Sequence, residues 1–545
     1  MLAKLLNYKD QIFLFFIISI VIIPIITVIS YIFSPSTELW GHLANNLLVE
    51  YLFNTFIILI FVGIISTILG VSCAWLVTMY KFPGKDIFKW LLVMPIAIPT
   101  YVAAYIYAGL VEPSGFLFDS IENTFGLGKE LYNLVDLRNI YGVIFILSIC
   151  LYPYIYLLTY SSFKEQSGCA IEVGKSLGLN KKELFSKISM PLARPGIIAG
   201  LSLVMMETLA EFGTMDYYGI STFTTGIYRT WFAFGDDTSA LHLASILLTF
   251  VFILITLEKY SRGRSKYAHT SQKSKSVKPI NMSIKKSIYA FLWCSLISLL
   301  GFIIPIIQLF LWLMETYSYL FKDEFLKIIM NTVTIAALSS VIIVLISIYA
   351  SYVNRSTNSL YTKFSLKIFS IGYSIPGVVI AVGIIIPITL IDNFQASIFG
   401  SPIFYLSGSF VALIIAYLVR FSTISFNATE SGLSKIKNNI DLTAKSFGFS
   451  SFKILKDIHI PMMKTTVITS FILVFVDIVK ELPATLILRP FNFDTLAIHI
   501  YELASSEKLS LIASPALMLI IIGLIPVIIL IKKTVNNGNQ NEIRN

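Results

Sequence analysis

Long apolar runs constrain this chain more than any other feature. A helix needs about 20 mostly apolar residues to cross a bilayer. Twelve stretches approach that measure: 11–33, 51–79, 90–110, 139–160, 195–212 and 240–257, then, after a polar break, 288–313, 327–353, 368–390, 408–427, 466–482 and 511–531. In lipid every backbone polar group must be satisfied internally, which leaves helices or closed barrels. Runs of this length predict an all-α membrane protein. Composition agrees, with 56% hydrophobic and 13% charged residues against about 25% charged in a soluble domain. A soluble enzyme, a disordered chain and a secreted disulfide scaffold are excluded. The first run is too long for a signal-peptide core and lacks a small-residue cleavage site, so it reads as a retained helix. Cys73, Cys150, Cys169 and Cys294 read as packing residues.

Charge sets the expected orientation. With the N-terminus inside, the cytoplasmic segments are 1–10, 80–89, 161–194, 258–287, 354–367, 428–465 and 532–545. They hold 32 of the 41 Lys and Arg and only 10 acidic residues, while the external loops hold 17 acidic residues. That asymmetry follows the positive-inside rule and predicts both termini in the cytoplasm. It also explains the net charge of +10 by contact with anionic membrane lipid, so no nucleic-acid partner is expected.

Residues 259–287 carry nine Lys or Arg and no acid, the signature of a solvated tether. The tether divides the chain into a first half, 1–258, and a second half, 288–545. The halves repeat. Asn54-Thr55 returns as Asn331-Thr332 and Ile98-Pro99 as Ile375-Pro376, both at an offset of 277. Gly178 returns as Gly448, Pro191 as Pro461, Glu207 as Asp477, Glu211 as Glu481 and Phe223 as Phe493, all at an offset of 270. A constant offset over many pairs marks a duplication. Six crossings per half give the repeats one orientation, with a pathway expected between them.

Equivalent cytoplasmic loops sit between the fourth and fifth spans of each half, at 161–194 and 428–465. Gly178 and Gly448 suit the left-handed residue that ends a helix. Asn180 and Ser450 are N-cap types, and Glu183 completes a capping box with Asn180. Pro191 and Pro461 are expected to close the second helix of each loop. The same helix-turn-helix in both halves favours docking to a partner over an ordinary interfacial hairpin.

Glu172, Gly178, Ile188 and Pro191 resemble the EAA loop of the membrane subunits of bacterial ABC importers. The departures are Val173-Gly174 for Ala-Ala, Met190 and Ile460 for the Leu before Pro, and Leu442 for the second Glu, with Asp441 one residue earlier. The resemblance implies that Glu172, Gly178, Pro191, Asp441, Gly448 and Pro461 belong to loops coupling this chain to an ATP-binding subunit. No nucleotide site is expected in the chain itself. Gly174-Lys175-Ser176 looks like the end of a P-loop, but Cys169 stands where a Gly is needed. The five histidines, His42, His242, His269, His459 and His499, are scattered and form no metal motif.

The fifth and eleventh spans carry Glu207, Glu211, Asp477 and Glu481. An i, i+4 pair lies on one face of a helix, and carboxylates within a membrane face a cavity or a partner. They are expected to converge on the central pathway as weak, transient contacts for a cation, with no stable metal site. The competing expectation is that Lys480 and Arg420 tie them up in structural pairs.

The strings ETLAEFGT (207–214), FTTGIYRTWF (223–232), KELPATLILRPFNFDTLA (480–497) and YELAS (501–505) resemble the ferric-iron permeases of binding-protein-dependent ABC importers, over essentially the whole chain. That resemblance implies the type I importer fold in fused two-half form, in a bacterial inner membrane. It implies two copies of an ATP-binding subunit, which hold ATP and Mg, and a periplasmic ferric-binding protein. No cofactor is implied for this chain. Thiamine or another small solute is the alternative cargo. A gradient-driven secondary transporter shares the twelve spans and parallel halves but has no need of the paired loops. A membrane-embedded enzyme lacks a catalytic set.

Overall fold

The structure is a computed structural model, and it describes residues 2–112, 126, 136–165, 174, 176–180, 183–262, 279–321, 323–357 and 359–525. Nine helices among these residues are long and apolar enough to cross a membrane. Two further pairs qualify if each bent pair counts as one span, and the apolar helix Leu509–Ile525 follows. Each of the twelve expected runs therefore has a helical counterpart.

Each half is built on the same triangle. Helix Leu48–Met79 packs along Ile140–Glu165, which packs along Met190–Ala210. In the second half Asp323–Ser356 packs along Phe410–Ser434, and both pack on Lys464–Lys480. Sidedness on Leu48–Met79 comes from residue size. Phe53, Phe56, Ile60, Ile64 and Ile68 face outward, where lipid is the solvent. The opposite stripe includes Gly63, Ser66 and Gly70, and small residues let membrane helices approach closely. A Cβ on Gly70 would lie 2.9 Å from Cβ of Ile155.

The halves exchange their first spans. Leu2–Ser30 packs against Gly377–Phe399 of the second half, and Ile304–Thr316 packs against Thr100–Leu110 of the first. A glycine sits at each crossing: a Cβ on Gly383 would meet the Pro24 carbonyl oxygen at 2.6 Å, and one on Gly109 would meet the Trp312 ring at 2.6 Å. The division at residue 258 thus separates two repeats in sequence but not two independently packed bodies. Nor is the whole of 259–287 a tether. Strand Ile280–Asn281 pairs in parallel with Tyr80–Lys81, helix Ile284–Ser298 begins directly after it, and 263–278 lie outside the described residues.

The third span departs from the expected continuous helix over 90–110. Lys85–Ala97 and Thr100–Leu110 meet at 93°. Pro99 forces the bend: a residue before proline is driven out of the α region, and Ile98 is extended at φ −96°, ψ 116°. Thr100–Leu110 is 11 residues long, about 16 Å at helical rise, so it begins inside the protein. The repeat does the same, with Ile375 extended before Pro376 and helix Gly377–Phe399 starting there. Two helix N-termini are thereby aimed at the interior.

Candidate functional site

A cavity of about 130 Å³ lies where the halves meet. Its walls include all four of the carboxylates singled out in the sequence, together with Arg420, Lys480, Tyr101, Tyr154 and Tyr373. All four therefore lie around one cavity.

The pairs do not share one helix face as expected. Helix Met190–Ala210 ends before Glu211, whose backbone is extended at φ −67°, ψ 129°. Helix Lys464–Lys480 likewise ends before Glu481, at φ −70°, ψ 117°. Each carboxylate instead caps the short helix that follows, because that helix's first N–H groups lack backbone partners. Glu211 accepts from the Thr214 N–H at 2.9 Å and from the Thr100 hydroxyl. Glu481 accepts from the N–H groups of Ala484 at 3.0 Å and Thr485 at 2.9 Å, and from the Thr485 hydroxyl at 2.7 Å. Thr100 and Gly377 start the broken-span helices, so both carboxylates lie at positive helix ends. Gly377 is required there: a Cβ would come within 2.4 Å of Arg420 and 2.6 Å of Glu481.

Glu207 and Asp477 remain within their helices and face the cavity. Glu207 accepts from the Tyr373 hydroxyl, contributed by the other half, at 2.7 Å. No hydrogen bond to Asp477 is found among the described residues. The competing expectation of structural pairing is half right. Arg420 pairs with Glu481 at 3.2 Å, whereas Lys480 donates to the Ile96 carbonyl oxygen at 2.8 Å, across the interface between halves. Sequence reasoning missed Tyr101, Tyr154 and Tyr373. The available signal was their position near the matched Ile-Pro steps and in the fourth span.

At the cytoplasmic loops, Gly178 and Gly448 adopt φ +77° and +81°. The turn closes with Leu179 N–H on the Gly174 carbonyl at 3.1 Å and Phe449 N–H on the Ala444 carbonyl at 3.1 Å. The capping box is reciprocal, each of Asn180 and Glu183 donating its N–H to the other's side chain at 3.0 Å. Ser450 accepts from the Lys453 N–H at 3.4 Å. Glu172 lies outside the described residues.

The prolines do not close the second helices. Pro191 lies in the first turn of Met190–Ala210, directly after the π-helical turn Leu184–Ser189. Pro461 follows the π-helical turn Leu455–His459. A widened turn shifts the hydrogen-bond ladder, so a residue without an N–H enters without ending the helix. In the first half the helix then runs unbroken over Leu184–Ala210, whereas in the second Ser451–Met462 and Lys464–Lys480 meet at 80°.

Asp441 turns into the protein. Its carboxylate accepts from Arg355 Nε at 2.7 Å and pairs with His459 Nε2 at 2.8 Å, while Arg355 also holds the carbonyls of Leu433 and Ile436. Burial opposes ionisation of Asp441, but the bonds from Arg355 and His459 outweigh it and hold the carboxyl below its usual range. Each turn exposes one large apolar residue at a matched position: Leu177 is 75% exposed and Phe447, its equivalent in the repeat, 77%. Leu442 and Phe452 are exposed in the same loop.

Residues 66–262 and 342–532 each match the family described as the binding-protein-dependent transport system inner membrane component. The chain belongs to this family. It is a multi-pass membrane transport subunit, carrying the family's domain twice. The permease is 26% identical to the Fe(3+)-transport system permease protein FbpB 2 of Haemophilus influenzae, over 89% of this chain and 90% of that one. It is 23% identical to the putative ferric transport system permease protein FbpB 1 of the same organism, over 86% and 74%. The sulfate transport system permease protein CysT of Salmonella typhimurium is 24% identical over 37% of this chain and 70% of its own. The ferric relatives therefore match across both repeats, and the sulfate relative across a stretch shorter than one half.

Proposed function

We propose that this permease moves ferric iron from a periplasmic ferric-binding protein into the cytoplasm, driven by ATP hydrolysis on a separate subunit. The observation that carries the reading is the convergence of Glu207, Glu211, Asp477 and Glu481 on one cavity between the halves. Oxygen ligands suit hard cations, and acidic walls in a low-dielectric passage lower the barrier to a cation. The match to ferric permeases along both repeats supports the same cargo. An anion such as sulfate would meet those carboxylates without a compensating excess of cations.

In this reading two copies of the ATP-binding subunit dock on the paired loops, ATP and Mg are held there, and this chain has no nucleotide site. Leu177 and Phe447 supply apolar docking points, since exposed apolar residues at matched turn tips fit burial against a partner. Closure of the two subunits draws the loops at 161–194 and 428–465 together, and the halves rock between inward-open and outward-open. Both termini face the cytoplasm, in keeping with the basic inner segments.

Reconstitution with the ATPase and the binding protein tests the proposal. Labelled Fe(III) should accumulate in an ATP-dependent manner while thiamine and sulfate do not. Uptake of thiamine or sulfate in place of iron would refute the ferric reading.

A further inference from the structure

Glu211 and Glu481 are committed to capping N–H groups, and Glu481 also to Arg420. That leaves Glu207 and Asp477 to meet a passing ion. Among the described residues no three Asp, Glu, His or Cys side chains are grouped as a metal site needs. The further oxygens in the cavity are phenols. Tyr373 places its hydroxyl 2.7 Å from Glu207 Oε1, and Tyr154 lies beside Tyr373. For metal–oxygen bonds of about 2.0–2.1 Å in an octahedron, adjacent ligand oxygens are about 2.9 Å apart, so the Tyr373–Glu207 spacing already suits two neighbouring ligands. A second observation is independent of this pair: Asp477 forms part of the cavity wall, yet its carboxylate has no hydrogen-bond partner among the described residues. A carboxylate inside a membrane protein left without a partner calls for an explanation, and an oxygen-seeking cargo in the cavity supplies one.

We propose that Tyr373 and Tyr154, with Glu207 and Asp477, form a transient all-oxygen site that takes Fe(III) through phenolate ligation. The inference rests on the ferric reading and deepens it. Each phenol that binds exchanges its O–H bond for an O–Fe bond and releases one proton. Each half contributes one phenol and one carboxylate: Tyr154 and Glu207 from the first, Tyr373 and Asp477 from the second. A rocking motion between halves separates the two pairs and dismantles the site, so the ion binds without being trapped. The cavity of about 130 Å³ has room for an ion with a small hydration shell.

The test uses the purified permease–ATPase complex without nucleotide, titrated with Fe(III) nitrilotriacetate. A visible phenolate-to-iron charge-transfer band should appear. Ga(III), of equal charge, should give the ultraviolet difference spectrum of ionised tyrosine and no visible band. Tyr373→Phe should roughly halve the band, and Tyr154→Phe with Tyr373→Phe should remove it and sharply reduce iron uptake, with the complex still co-purifying. No band in the wild type at saturating iron, or an undiminished band in the double variant, overturns the inference. Iron transport by a wild type that shows no band would leave the ferric reading standing and this ligand set refuted. Failure of the wild type to transport iron would defeat both.

Discussion

The two halves share one frame and fill it with different chemistry. In both, a proline-broken third span aims a helix N-terminus at the centre, and a glutamate at the end of the fifth span of that half caps the next short helix. Only the second half adds cations. Arg420 corresponds in the first repeat to Cys150, and Lys480 to Ala210, both also in the cavity wall. Glu481 therefore has a guanidinium partner, whereas among the described residues Glu211 is held by N–H and hydroxyl donors alone. The cytoplasmic loops differ in the same way. The first is closed by the Asn180–Glu183 box and runs straight into its span; the second is braced by Asp441, Arg355 and His459 and joins its span across an 80° bend. Duplication preserved the backbone device and left each half free to satisfy its buried groups differently.

The sharpest way to break this comparison is at the two caps. Glu481→Gln removes the carboxylate paired with buried Arg420, and breaking a buried pair costs about 3–5 kcal/mol. Glu211→Gln keeps an acceptor oxygen and has no cation to strand, so a loss of about 1–2 kcal/mol is expected. Thermal unfolding of the solubilised protein should show the larger drop for Glu481→Gln. Equal drops would mean that Arg420 adds nothing to the second cap.

The cavity carboxylates make the second contrast. Glu207→Gln combined with Asp477→Asn should lower iron uptake at least about tenfold, equivalent to ~1.4 kcal/mol, while assembly with the ATPase is retained. Loss of assembly, or unchanged uptake, would return these residues to a structural role.

Gly178→Val and Gly448→Val should each impair coupling through backbone strain. No atom lies within 4 Å of a Cβ built on either glycine, so volume is not the obstacle; the positive φ is, at a cost of about 1–2 kcal/mol. Asn tolerates this conformation better, so Gly178→Asn should keep more solute-stimulated ATPase activity than Gly178→Val. Equal activity in the two variants would show that the turn's φ is unimportant. The first loop should be the more sensitive, since it leads into an unbroken helix.

The smallest effect concerns the brace in the second loop. Asp441 has its folded pKa below the ordinary 3.8, so its stabilisation is present above that pH and is lost as pH falls through the lowered value. Asp441→Asn should loosen helix Asn438–Ser446 at neutral pH by about 1 kcal/mol and remove the loop's own response to acid. Hydrogen exchange over 438–446 would measure both. A mutant loop that exchanges like the wild type, or still loosens on acidification, would remove Asp441 from the brace.

Much of this molecule was legible before any coordinates. Apolar runs required helices, because lipid offers backbone groups no other partner, and the offsets of 277 and 270 exposed the duplication and all four carboxylates. Gly178 and Gly448 were readable because a helix-ending turn asks for positive φ, a local demand. Other features depended on residues far apart in the chain. The exchange of first spans rests on Gly383 against Pro24 and Gly109 against Trp312, and neither apolar periodicity nor spacing encodes which helix a glycine will meet. Pro191 looked like a helix end because sequence does not reveal that a widened turn will absorb it. Four carboxylates on two spans looked alike, and only packing divided them: Glu211 and Glu481 fall just past helix ends and serve unpaired N–H groups, while Glu207 and Asp477 stay within their helices and face the cavity. Local sequence set the elements and their symmetry. Tertiary structure decided which buried charge has a partner, since that depends on what the other half places across the interface.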